Sequence, residues 1–139
     1  MQKHDKTMRA KKIFEDEEFT FIKPSERIKE NAKLRDKFVD ALYDNDIETF
    51  KDCINKGFDP SYNNNEPIRM ASMNGNLEIV KILMSDQRVN PAGYTNGAFW
   101  LAYDEGHKDV VELLFNDERV QDKLTGYKIE EINRFLYES

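Results

Sequence analysis

The sequence has 139 residues, 39% apolar, 35% charged and 12% aromatic, which gives one domain core and excludes a multidomain enzyme. Twenty-one Lys and Arg against 27 Asp and Glu leave a net charge of −6, a sign that argues against a chain acting wholly as a polyanion binder. The single cysteine, Cys53, cannot close an internal disulfide, no Asn-x-Ser/Thr sequon occurs, and no apolar run suits a leader or a membrane span, so an intracellular, reducing setting is expected.

Charge divides the chain. Residues 1–37 carry a net +3 and residues 38–139 a net −9, so the two parts are expected to do different work. Lys3, Lys6, Arg9, Lys11 and Lys12 form a basic tail with few apolar anchors, followed by the acidic run 15–18. Phe19-Thr20-Phe21-Ile22 alternates apolar and polar positions until Pro24 stops it, reading as an extended peptide that packs on something. Residues 1–24 are therefore taken as an extended tail. Ser25 is placed as the N-cap of a helix running toward Tyr43, with Ile28, Ala32, Phe38, Ala41 and Leu42 as a rough apolar face.

From residue 36 onward the chain repeats. A shift of 31 residues superposes Ala71 on Ala102, Gly75 on Gly106, Val80 on Val111, Leu83 on Leu114, Asp86 on Asp117, Arg88 on Arg119 and Val89 on Val120, where chance would give about two identities. A weaker copy lies 30 residues upstream, with Phe38 under Ile68, Ala41 under Ala71 and Asn45 under Gly75. Each copy has a short helix around the Ala, a Gly or Asn break, a longer amphipathic helix and a polar turn segment. One such unit has too little apolar surface to stand alone, so neighbours must stack around a shared, quasi-linear core. The spacing places units near 36–65, 66–96 and 97–127, and residues 127–137 read as an amphipathic closing helix.

This pattern resembles the ankyrin repeat. Pro67-Ile68-Arg69-Met70-Ala71 and Ala98-Phe99-Trp100-Leu101-Ala102 are similar to the family's Thr-Pro-Leu-His-x-Ala segment, and Gly75 to Leu83 and Gly106 to Leu114 match its second half. The chain departs from the pattern at Glu66 and Gly97 (Thr positions), Arg69 and Trp100 (His positions) and Asp40 (an apolar position). Ser85 to Pro91, echoed at Asp59-Pro60 and at 116–120, resembles divergent ankyrin repeats abundant in large DNA viruses and their protist hosts. The resemblance implies an all-α helix-turn-helix solenoid of about three units over residues 25–139, with an N-terminal extension and a C-terminal capping helix.

It further implies a concave, partner-binding face built from the turn tips and first helices. By position that face comprises Tyr43, Asp44, Tyr62, Asn63, Asn64, Met73, Asn74, Tyr94, Thr95, Asn96, Asp104 and Glu105, whose Tyr and Asn chemistry suits protein recognition. The plainer reading of 63–65 and 93–97 is that they are good turn formers. Asp44, Asp104 and Glu105 either select a basic peptide or are simply solvated. Trp100 is expected to pack between units.

Catalytic chemistry finds no foothold. Two histidines, His4 and His107, and one cysteine do not compose a usual zinc site, and the six glycines form no phosphate-cradling loop. Cys53 falls on a core position. No cofactor, metal, small-molecule substrate or membrane span is expected, and nucleic acid is disfavoured. The expected function is non-catalytic protein binding, as an adaptor or inhibitor acting through the concave face. The alternative is a structural subunit of a larger assembly, such as a virion, anchored by the tail.

Overall fold

The computed structural model describes residues 23–126 and 129–138. Tail residues Lys3, Lys6, Arg9, Lys11, Lys12, Phe19 and Phe21 lie outside that range, as do Tyr127 and Lys128 at the start of the expected closing helix. Among the described residues there are eight helices: α1 (Pro24–Asp44), α2 (Ile47–Asn55), α3 (Tyr62–Asn74), α4 (Leu77–Met84), α5 (Gly93–Asp104), α6 (Lys108–Phe115), α7 (Glu118–Asp122) and α8 (Ile129–Tyr137). The chain divides into two units between Ala32 and Lys33, within α1.

The second unit holds the stack. Helix α3 packs on α5, α2 on α4 and α4 on α6, while α3 turns back on α4 and α5 on α6, giving two rows of parallel helices. The repeat accounts for the core between them. Phe38, Ala41, Ile68, Ala71, Phe99 and Ala102 are buried along α1, α3 and α5, while Phe50, Cys53, Ile79, Val80, Leu83, Val110, Val111 and Leu114 are buried along α2, α4 and α6. Alanine recurs because larger side chains there would force the rows apart.

Aromatic packing marks both ends of the stack. Phe38 stacks on Phe50 with centroids 4.4 Å apart and lies 4.5 Å from Phe58, and Tyr62 meets Phe58 edge-on at 5.2 Å. In the last repeat Trp100 packs edge-on against Phe99 and Tyr103, at 4.9 and 5.5 Å, and Tyr103 reaches Phe135 of α8 at 4.5 Å. Helix α8 also packs on α6 and buries Ile132. The apolar face expected along α1 holds only in its C-terminal half: Phe38, Ala41 and Leu42 are buried, but Ile28 is 70% exposed. Lys23, Glu26, Arg27, Lys29 and Glu30 crowd this stretch, and Ala32 is the one small apolar residue a turn away on the C-terminal side, too little to bury Ile28.

The break in every unit is a left-handed residue, as Gly or Asn at those positions anticipates: Asn45 at φ 56°, Gly75 at φ 72° and Gly106 at φ 78°. The residue after each break begins the second helix of its unit. In the first unit that residue is Asp46, which caps its own helix by accepting from Thr49 N at 3.2 Å and Thr49 Oγ1 at 2.7 Å. In the next two units the equivalent residues reach back to the preceding unit instead. Asn76 Nδ2 donates to the Leu42 carbonyl at 2.8 Å, and His107 Nε2 bonds the Met73 carbonyl at 2.9 Å.

The His107 ring lies directly over Gly75, where a Cβ would stand 2.6 Å from Nδ1; nothing lies within 4 Å of the equivalent point on Gly106. Alanine at either glycine incurs left-handed strain of about 1–2 kcal/mol, and at Gly75 it must also displace the hydrogen-bonded imidazole, adding about 1–3 kcal/mol. Denaturant unfolding of the two variants should therefore show Gly75→Ala as clearly the more destabilised.

Candidate functional site

The candidate site begins with an Asx-Pro turn. Asp59 Oδ1 accepts from Ser61 N at 2.9 Å and Ser61 Oγ at 2.7 Å, and Asn90 Oδ1 accepts from Ala92 N at 3.0 Å. Each turn delivers the chain into a tip of unusual backbone. Asn63, Asn64 and Asn65 have φ 52°, 54° and 62°, and Tyr94, Thr95 and Asn96 have φ 54°, 52° and 63°. Both tips are thus single left-handed turns, closed by Asn65 N to Ser61 O at 2.9 Å and Asn96 N to Ala92 O at 3.1 Å. The right-handed part of α3 starts only afterwards, so Pro67 occupies its first turn, where the missing N–H is harmless.

Within each tip the third residue points inward and the first two outward. Asn65 Oδ1 accepts from Asn90 N at 2.8 Å, and Asn96, 1% exposed, donates from Nδ2 to the Val120 carbonyl at 3.0 Å. Each tip is therefore clamped to the following segment, 25 and 24 residues on. Asn96 was expected on the binding face; its burial removes it from that surface and makes it a structural clamp. Asn63, Asn64, Tyr94 and Thr95 remain exposed. Asn63 Nδ2 bonds Glu66 Oε2, and Asn64 Nδ2 donates to the Tyr94 hydroxyl at 3.4 Å.

The other expected positions divide similarly. Tyr43, Asp44, Asn74, Asp104 and Glu105 are exposed, with Tyr43 at 55% and Tyr94 at 63% among the most exposed large side chains. They lie at two ends of the first helices: Asp44, Asn74 and Asp104 close α1, α3 and α5, whereas 63–64 and 94–95 open α3 and α5. Met73 is half-buried and gives its carbonyl to His107. Tyr62 is also half-buried and packs on Phe38 and Phe58; burial pushes its phenol pKa up. It is chiefly part of the core.

Sequence reasoning missed Asn65 and Arg69. Asn65 and Asn96 stand 31 residues apart, so the period marks them as equivalent positions, but only the structure shows that both clamp inward. Arg69 carried no signal beyond its departure from the family pattern. Its guanidinium lies 4.4 Å from the Tyr94 ring centroid, and Nη2 donates to the Asn63 carbonyl at 3.3 Å.

Ion pairs brace the loops behind the tips. Arg88 and Arg119 each grip the aspartate two residues earlier, Asp86 at 2.8 Å and Asp117 at 2.9 Å, and Arg119 Nη1 also donates to the Val89 carbonyl at 3.2 Å. The Arg88 and Arg119 side chains hold the Asp86 and Asp117 carboxyls below the usual carboxylate range. Asp44, Asp104 and Glu105 have no such cation among the described residues. The Cys53 thiol is pushed up by burial, which disfavours the thiolate a nucleophile needs. Among the described residues no group of three or more His, Cys, Asp or Glu is placed to hold a metal ion, and no helix is long and apolar enough to cross a membrane.

Two rows of helices, a 31-residue period and tips joined unit to unit define the architecture, and a family model for ankyrin repeats in three copies matches residues 38–123. The chain belongs to the ankyrin-repeat family. Its members generally mediate protein–protein interaction and are typically non-catalytic. Searches of curated proteins and of solved structures each return no significant match. The ankyrin match begins at Phe38, the first fully buried core residue of α1, and ends one residue after α7.

Two expectations follow. Asn96→Ala leaves the Val120 carbonyl without its donor and should cost about 1–3 kcal/mol, whereas Thr95→Asn, which replaces a β-branched residue at positive φ, should stabilise by about 1 kcal/mol; chemical denaturation reads both. Because the Asp86 and Asp117 pKa values are depressed in the folded state, their contribution is complete above their ordinary value of 3.8 and is lost as pH falls through the folded values. Asp117→Asn should flatten the acid limb of a stability–pH profile and leave the neutral region level.

Proposed function

We propose that this ankyrin-repeat protein is a non-catalytic binding module, an adaptor or inhibitor, which takes one partner protein on the face carrying the two tips and the first helices. The observation that carries this reading is the strained second tip. Tyr94 and Thr95 sit in a left-handed conformation that costs about 1–2 kcal/mol per residue relative to Gly or Asn, and Tyr94 is still left 63% exposed. Arg69 and Asn64 engage one face of the ring and its hydroxyl, and the rest of the side chain faces outward. Strain and exposure retained together are a pattern of functional sites.

Tyr94 offers a large, rigid contact surface with few torsions to freeze, and Asn63, Asn64 and Thr95 beside it supply adaptable hydrogen bonds. Tyr43, beside Asp44 at the opposite end of the first helices, is a second exposed aromatic. Asp44, Asp104 and Glu105 supply negative charge, without an ion-pair partner among the described residues, at the far ends of α1 and α5, where it can steer association.

The test uses a photoreactive phenylalanine at position 43, 94 or 112. Glu112 is exposed on α6, in the row of second helices. One protein should be captured from positions 43 and 94 and not from 112, and Tyr94→Ala should weaken its affinity by about tenfold or more, as expected for an aromatic anchor. Capture from 112 alone, with Tyr94→Ala binding normally, would contradict the reading.

A further inference from the structure

We propose that Arg69 is a positioning residue that ties the tips opening α3 and α5 into one recognition surface and fixes the presentation of Tyr94. The proposal rests on the reading above, that the tips contact the partner, and adds the device that sets their geometry. Arg69 leaves α3 and runs beneath the tip that opens α5. Its guanidinium carbon lies 4.4 Å from the Tyr94 ring centroid, close enough for a cation–π contact. The same guanidinium donates from Nη2 to Asn63 O in its own tip at 3.3 Å. Asn64 Nδ2 completes the bridge at the Tyr94 hydroxyl, 3.4 Å away.

Two further observations show that room is made for this side chain. A Cβ on Gly97 would stand 3.0 Å from Arg69 Cδ and 3.4 Å from Tyr94 Cβ, so the bare backbone of Gly97 is the slot through which Arg69 passes. Arg69 and Gly97 are both departures from the family's segment, and here they touch: the loss of a side chain at one accommodates the long side chain at the other. The Arg69 Nε–H is also buried without an acceptor among the described residues. Burying an unmatched donor is unfavourable, a cost set against the contacts that the rest of the guanidinium makes with Tyr94 and Asn63.

The consequence is chemical as well as geometric. One face of the Tyr94 ring is taken by a cation and its hydroxyl is engaged by Asn64. The open face therefore suits an uncharged apolar or planar group of the partner; a second cation there would meet a ring already polarised by Arg69 and the repulsion of Arg69 itself.

Amide hydrogen exchange on the full-length chain, without any partner, tests the tie separately from the binding reading. Asn65 N–H and Asn96 N–H each close one tip, and Val80 N–H, bonded to Asn76 O at 3.0 Å, reports whether the body remains folded. Arg69→Gln should speed exchange at both tip amides about two- to fivefold, the factor equivalent to an exposed cation–π contact, with Val80 unchanged. Tyr94→Leu should do the same at Asn65, in the other tip, and the milder Gly97→Ala should reproduce it by displacing Arg69. The Tyr94 ring resonances should move in Arg69→Gln and return toward their original positions in Arg69→Lys. Unchanged exchange in Arg69→Gln, an effect of Tyr94→Leu confined to Asn96, or equal ring shifts in the Lys and Gln variants would each overturn the proposal.

Discussion

The structure depends on polar side chains that leave one repeat and bond the backbone of its neighbour. Hydrophobic burial supplies most of the stabilisation, but it is non-directional, and a row of Ala, Val and Leu tolerates small slips of one unit against the next. Asn76 on Leu42 O and His107 on Met73 O fix each unit at its break, and Asn65 and Asn96 fix it again at its tip. Individually such bonds are worth about 1 kcal/mol. Together they set the register and with it the alignment of the tips. Asp46 differs: in the first matched copy the equivalent position caps its own helix instead.

The same residue type serves opposite ends at adjacent positions. A left-handed turn of three non-glycine residues is costly, and the third of them offsets part of that cost by clamping the following segment. The first two are then held outward on a rigid base. In the first tip all three residues are Asn, the side chain best able to tolerate that backbone. In the second tip Tyr and Thr replace two of them, and the strain that results is retained in an exposed place. A binding surface whose shape is set before the partner arrives loses less conformational entropy on association.

Most of the fold was legible in the sequence. The 31-residue period, the Gly or Asn breaks and the buried Ala, Val and Leu positions all arise from local pattern, and the structure reproduces them. The failures at Tyr62, Asn96 and Arg69 originate in packing that only the fold supplies, and the failure at Ile28 in its local charge. Ile28 fits a helical stripe, yet the stripe had nothing to say about its charged surroundings. Tyr62 and Asn96 are turn residues by composition, and only the approach of Phe58 to one and Val120 to the other turns them inward. Arg69 is a departure without a period, so its meaning waited on Tyr94, 25 residues further on.

Whether the repeats hold one another through these contacts is answered most directly by equilibrium denaturation followed with two probes. Trp100 fluorescence reports the last repeat, and far-ultraviolet circular dichroism reports every helix. Cooperative coupling between neighbours predicts coincident midpoints and slopes in one transition. A Trp100 transition displaced from the loss of helix would show repeats unfolding independently, and would contradict the view that contacts between repeats set the geometry of the binding face.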